Sequence, residues 1–212
     1  ILEDEAKAIQ KEFSVIEKPV VIDLKKAHLG LVGEKSVIHE QIKALICQLT
    51  FFHSYHDLEI IAIYDEAYQE DFQWMRWYPH FKIHTVNSVA MINSENKRDQ
   101  ILGSLYQILK DRKQKEEESK KESTFLPHFL FLIDEPKWIM DHSIMEYLEK
   151  EGYNLGFSII YTSHLRANLP ENIGTIAMLK NSEDGLLLID EREEKQEKFR
   201  LHNMQEIPLE WL

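Results

Sequence analysis

The chain has 212 residues, of which 43% are apolar and 10% aromatic, enough to fill the core of one large domain and to exclude general disorder. Its 25 lysines and arginines face 37 aspartates and glutamates, and a net charge of −12 repels a phosphate backbone, which excludes autonomous nucleic-acid binding as a leading function. Cys47, the one cysteine, lies in the apolar run Ala44–Leu49; it rules out an internal disulfide or a multi-cysteine metal site, suits a reducing compartment and reads as a core residue.

The chain opens Ile1-Leu2-Glu3-Asp4 without a signal-peptide pattern and reads as a piece of a longer protein: one domain over residues 1–212 with its core at about 19–204. No run approaches the roughly 18 consecutive apolar residues of a membrane span. Short β-branched or aliphatic runs alternate with helical periodicities, which predicts an α/β layered domain with a mainly parallel sheet. The predicted strands are Pro19–Leu24, His28–Val32, Leu58–Tyr64, Phe81–Thr85, His128–Ile133, Phe157–Thr162, Thr175–Leu179 and Gly185–Asp190. Ile60–Tyr64 and Phe129–Ile133 are too continuously apolar for half-exposed strands and are expected at the centre of the sheet. A helix follows Gly33, with Val37, Ile38, Ile42, Leu45, Ile46 and Leu49 at three- and four-residue steps. A second runs from Asp99 to about Lys113, and a third from Ile144 to Glu151. In Asp111–Glu122, 10 of 12 residues are charged, as in a solvated helix end or loop. The tail from Glu191 is polar and ends in the apolar Ile207–Leu212, expected to dock on this or a neighbouring domain.

Only seven glycines are present, and two of them make the one candidate phosphate cradle, His28-Leu29-Gly30-Leu31-Val32-Gly33-Glu34-Lys35-Ser36-Val37. A P-loop wraps phosphates with backbone N–H groups and a helix N-terminus, and its lysine and hydroxyl follow the last glycine. Here the strand–helix position suits such a loop but the letters do not: keeping Lys35-Ser36 as the lysine and hydroxyl leaves Glu34 where glycine is needed and shortens the loop. Glu34 also puts a carboxylate beside the expected triphosphate, and like charges at about 4 Å cost roughly 4 kcal/mol at an effective dielectric near 20. These residues favour a plain strand–helix connection over a working cradle.

Phe129–Ile133 ends in Asp134-Glu135, the form of a strand whose first carboxylate holds Mg²⁺ and whose second activates water. The strand ending Tyr161-Thr162-Ser163 would bring the Thr162 hydroxyl to the same rim, as a sensor of a γ-phosphate or simply as a polar turn. The pairs His53/His56 and His80/His84 lack the partners of a metal site, and no metal is expected beyond Mg²⁺ on Asp134 should nucleotide bind. Phe72–His80 is an aromatic cluster, either an interaction surface or a short helix anchored to the core through Trp74 and Trp77. No Gly-x-Ser-x-Gly elbow is present.

Taken in order, Gly30-Leu31-Val32-Gly33, the helix end Gln48-Leu49-Thr50-Phe51-Phe52-His53-Ser54, Asp57-Leu58-Glu59-Ile60 and the turn Trp74-Met75-Arg76-Trp77-Tyr78-Pro79-His80 resemble the degenerate ATPase-like modules of FtsK/SpoIIIE-type proteins. The resemblance is closest to the membrane-anchored EccC/EssC-type ATPases of type VII (Esx) secretion systems, and runs from about Val20 to Leu201. It implies a three-layer P-loop NTPase (RecA/FtsK-like) fold, with Gly30, Gly33, Lys35 and Ser36 in the degenerate phosphate loop. Asp134 and Glu135 become the Walker B pair, with Glu135 the vestigial or conditional catalytic residue and Thr162 sensor-like. It further implies a pseudo-ATPase, with ATP and Mg²⁺ not tightly held, that assembles or regulates the secretion motor. Its partners would be adjacent ATPase modules of the same chain and other membrane components, at the cytoplasmic face of the membrane. A working ATPase and a DNA-translocase module are the alternatives.

Overall fold

The computed structural model describes residues 19–118, 124–181, 183–189 and 195–201. In chain order they form β1 (Leu29–Val32), α1 (Lys35–Phe52), β2 (Leu58–Ile63), α2 (Gln69–Phe72), β3 (Lys82–Ile83), β4 (Ser88–Val89), β5 (Met91–Ile92), α3 (Glu95–Glu118), β6 (His128–Ile133), α4 (Met145–Leu148), β7 (Phe157–Ser163), β8 (Thr175–Leu179), β9 (Asp184–Ile189) and β10 (Lys195–Arg200). Eight strands make one sheet in the order β10-β9-β8-β1-β7-β6-β2-β5, with β3 and β4 paired separately. From β8 to β5 every pairing is parallel, whereas β9 and β10 continue the edge as an antiparallel hairpin. The register aligns Leu58 with His128 and Ile63 with Ile133, so β2 and β6 are in step along their whole length.

Both faces of the central strands are apolar, and period-two alternation divides them between two cores. On one face α1 lays Ile38, Ile42 and Ile46 on Leu29, Leu31, Ile60, Ala62, Leu130, Leu132 and Ile160. On the other, α3 packs Ile101, Leu102, Leu105 and Leu109 against Ile61, Ile63, Phe129, Phe131, Ile133 and Phe157. Each fully buried leucine or isoleucine contributes about 1.5–3 kcal/mol, so these stripes fix which way α1 faces, and with it the side chains of its first two turns.

Both strands expected at the centre form and are buried on both faces, but β2 is seventh of the eight, with only the two-residue β5 beyond it, and several boundaries differ. Pro19–Leu24 is not a strand, and Phe81–Thr85 shrinks to the two residues of β3 in a small hairpin with β4. The second helix is longer than its apolar stripe, whereas the third is a single turn at Met145–Leu148. Arg112, inside the charged run read as solvated, is buried and donates to the carbonyls of Leu155, Gly156 and Pro127 at 3.0, 3.1 and 2.7 Å. Burial pulls its guanidinium down to about 10, against the opposing attraction of Glu59. Cys47 is half-buried rather than central. Among the described residues no helix is long and apolar enough to cross a membrane. The apolar segment Ile207–Leu212, with Trp211, and the charged residues 119–122 lie outside the described residues.

Candidate functional site

The parallel strands β1, β6 and β7 end at one rim, where an open α/β sheet offers a crevice for ligands. Only Gly33 and Glu34 separate β1 from α1, so Lys35 begins the helix. Gly33 is required by close approach: a Cβ there would stand 2.7 Å from the Leu179 carbonyl oxygen, while its N–H donates to Ser163 O at 3.1 Å. Glu34 occupies the N-cap with its side chain exposed and makes no side-chain cap bond. From the first turn, Lys35 Nζ reaches Asp134 Oδ2 at 2.9 Å and lies 4.4 Å from the ring centroid of Tyr68.

Asp134 follows β6 directly, and its side chain is fully buried. Thr162 Oγ1 donates to Asp134 Oδ1 at 2.6 Å, and His39 Nε2 approaches the same oxygen at 3.4 Å. The other ring nitrogen of His39, Nδ1, is 2.9 Å from Asp71 Oδ2. Both neighbours of the imidazole are carboxylates, which only accept, so the site favours the protonated ring. Lys35, His39, Asp71 and Asp134 thus form one cluster of opposed charges. Burial alone would raise the Asp134 carboxyl, but hydrogen bonds from His39, Thr162 and Lys35 outweigh it and hold the group below its ordinary value. For His39 burial works in the lowering direction, and the hydrogen bonds with Asp134 and Asp71 override it, leaving the imidazole above its ordinary value.

Lys35, Asp134 and Thr162 therefore meet, as the rim reading expected. Gly30 does not join them: it is the second residue of β1, where a Cβ would come 2.5 Å from Leu169 Cδ1, so its missing side chain admits a neighbouring leucine. Ser36 is exposed on the next position of α1, and its hydroxyl makes no hydrogen bond among the described residues. Glu135 accepts from Lys137 N at 3.2 Å and caps its own turn, while the Lys137 ammonium pairs with Asp65. The His53/His56 and His80/His84 pairs hold no cluster of metal ligands among the described residues. His80 Nε2 instead donates to the carbonyl of His53 at 2.8 Å. The aromatic cluster divides: Trp74 Nε1 donates to Asp71 O at 2.6 Å and its ring is half-buried, whereas Trp77 is 81% exposed. Sequence reasoning missed His39, Tyr68 and Asp71. The one signal for His39 was its place four residues after Lys35, on the same face of a helix.

The fold is that of P-loop ATPase domains. It superposes on EssC (ATPases 2 and 3) from Geobacillus thermodenitrificans with a TM-score of 0.66 at 12% identity, covering 84% of this chain and 40% of that one. No protein-family model matches the chain. By sequence it is a homologue of one segment of the EccC/EssC proteins of type VII secretion. It is 35% identical over 199 residues to the ESX secretion system protein EccC of Geobacillus thermodenitrificans, across 93% of this chain. It is 32% identical over 213 residues to the type VII secretion system protein EssC of Staphylococcus aureus, across 99% of this chain. The chain spans 13% and 14% of the length of these two relatives.

Proposed function

We propose that this chain is a single degenerate FtsK/SpoIIIE-like module, with its core at about residues 19–204, of a larger membrane-anchored type VII secretion ATPase. It acts as a pseudo-ATPase that assembles or regulates the export machinery without turning over ATP. Its partners are the adjacent ATPase modules of the same polypeptide and other membrane components of the system, at the cytoplasmic face of the membrane; nucleic acid is not among them. Two kinds of likeness support this placement. The Geobacillus structure contains two ATPase modules in one chain, and this chain is 12% identical to it but 35% identical to a segment of the curated Geobacillus relative. The contrast supports matching the chain to a different segment from those two modules.

The observation that carries the pseudo-ATPase reading is the two-residue connection Gly33-Glu34 together with the engagement of Lys35 by Asp134. A phosphate cradle adds a loop of backbone N–H groups to those of the helix's first turn, and this two-residue connection supplies no such loop, its Gly33 N–H being bonded to Ser163 O. Mg²⁺ on Asp134 would have to compete with Lys35 at Oδ2, or with Thr162 and His39 at Oδ1. In this reading ATP and Mg²⁺ are not held tightly, and Glu135 is a remnant. The second reading, a working Mg²⁺-dependent ATPase, draws on one observation: Lys35, Asp134 and Thr162 do meet at the rim, with Glu135 beside them. Phosphate release from this chain with Mg²⁺ and ATP separates the two. The expected result is no release above that of the Glu135→Gln variant; release that this variant abolishes would establish the working ATPase.

A further inference from the structure

At the end of the sheet opposite the rim, beneath the last turns of α1, a cavity of about 430 Å³ opens at the amino ends of β2, β6 and β7. Its size falls in the range of roughly 300–1,000 Å³ typical of ligand sites. Ile22, Leu24, Leu49, Leu58, Leu126 and Leu130 supply apolar walls. His128 and Ser158 also line it, and they are bonded to each other: His128 Nε2 is 2.8 Å from Ser158 Oγ.

The hydrogen bonds determine the tautomer. Ser158 Oγ is 2.7 Å from the carbonyl oxygen of Leu24, which can only accept, so the single hydroxyl proton points there. His128 Nε2 must then be the donor to Ser158, which leaves the lone pair on Nδ1. Burial, with further pressure from Arg112, Lys25, His53 and His28, pushes the imidazole down to about 4, so it is neutral near pH 7. At its buried end the cavity thus offers one uncharged acceptor among apolar walls, while the exposed residues Asp23, Lys25, His53 and Asp57 line it toward solvent. A neutral ring with a single N–H or O–H donor would lose little at that buried end.

The surroundings of the mouth indicate what would carry such a ring. Leu126 and Tyr153 line the cavity and are 61% and 38% exposed. Apolar shoulders around a pocket with a polar floor suit an anchoring side chain flanked by further apolar residues, the arrangement of an interface hot spot, better than a free small molecule.

We propose that this cavity receives a tryptophan or tyrosine side chain presented by a polypeptide segment, with its N–H or O–H donating to His128 Nδ1 and its apolar neighbours lying on Leu126 and Tyr153. The test is NMR titration of the isotope-labelled chain with three probes: a capped Leu-Trp-Leu tripeptide, free indole, and indene, which has the shape of indole without the donor. The expected result is saturable shifts at His128, Leu130 and Ser158, with indole at least tenfold tighter than indene and the tripeptide at least tenfold tighter than indole. His128→Phe should erase the advantage of indole over indene, and His128→Asn, which keeps an acceptor, should retain it. Indene binding as well as indole would overturn the donor recognition, and this comparison needs no variant to fold. A tripeptide no tighter than indole would overturn the polypeptide source in favour of a free aromatic compound. Shifts confined to other regions, or no saturable binding of any probe, would overturn the site itself.

Discussion

The same two strands end in a hydrogen-bonded polar pair at each extremity, and α1 treats the pairs in opposite ways. On the face beneath α1, β6 runs His128, Leu130, Leu132 and then Asp134, while β7 runs Ser158, Ile160 and Thr162; the apolar members of both belong to one core. At the carboxyl rim the Asp134–Thr162 pair, 2.6 Å apart, is closed over by Lys35 and His39 from the first turns of α1. At the amino end the His128–Ser158 pair, 2.8 Å apart, faces a cavity under the last turns of that helix. The end where this fold class places nucleotide is thus filled by the protein's own side chains, and the end away from it is the more open.

The largest expected effect comes from breaking the closed end. Asp134→Ala removes the carboxylate common to Lys35, His39 and Thr162, and should cost about 3–4 kcal/mol in urea unfolding, as when one member of a buried pair is lost. A change below about 1 kcal/mol would mean that the cluster does not organise the rim. Next in size is the pH signature of the open end. An unfolded chain takes up a proton on His128 near the ordinary value of 6.5, but the folded chain refuses it until about 4. Stability should therefore fall by about 3 kcal/mol as pH drops through that window, with His28, lowered by burial, adding in the same direction. His128→Asn should flatten that acid limb.

At the closed end His39 has the opposite sign and Asp134 the same sign as His128. With its imidazole held above 6.5, His39 contributes stability that is present below that value and lost as pH rises through its folded value. Asp134, held below 3.8, contributes stability present above that value and lost as pH falls through its folded value. His39→Gln should therefore reduce the alkaline loss and leave the His128 limb in place. A smaller effect, about 1–2 kcal/mol, is expected for Lys35→Ala, because Thr162 and His39 still satisfy Asp134 and the lysine is partly solvated. The smallest are Glu135→Gln and Trp77→Ala, each within about 0.5 kcal/mol by thermal unfolding, since one caps a surface turn and the other is exposed.

Much of the rim was legible from local pattern. A carboxylate directly after an apolar run, a hydroxyl at the end of another and a lysine opening a helix each have their position set by the strand or helix that precedes or follows them. His39, Asp71 and Tyr68 were not legible, because their meeting depends on the chain between β2 and β5 folding back beside α1. Gly30 misled because a glycine before a helix suggests a loop, whereas here it makes room for Leu169 in mid-strand. The strand β5 is two residues long and β10 is largely polar, so neither carries the apolar run by which the central strands announce themselves. Arg112 shows the limit of reading a charged run as solvated: one of its members turns inward because three backbone carbonyls need a donor there.

Calorimetric titration of the folded chain with Mg²⁺ and ATP, run beside the Lys35→Ala variant, tests the closed rim most directly. No saturable heat is expected for either protein at millimolar nucleotide. Saturable binding in the micromolar range by the unaltered chain, lost in Lys35→Ala, would contradict the closed rim and make this module a nucleotide sensor or a motor domain.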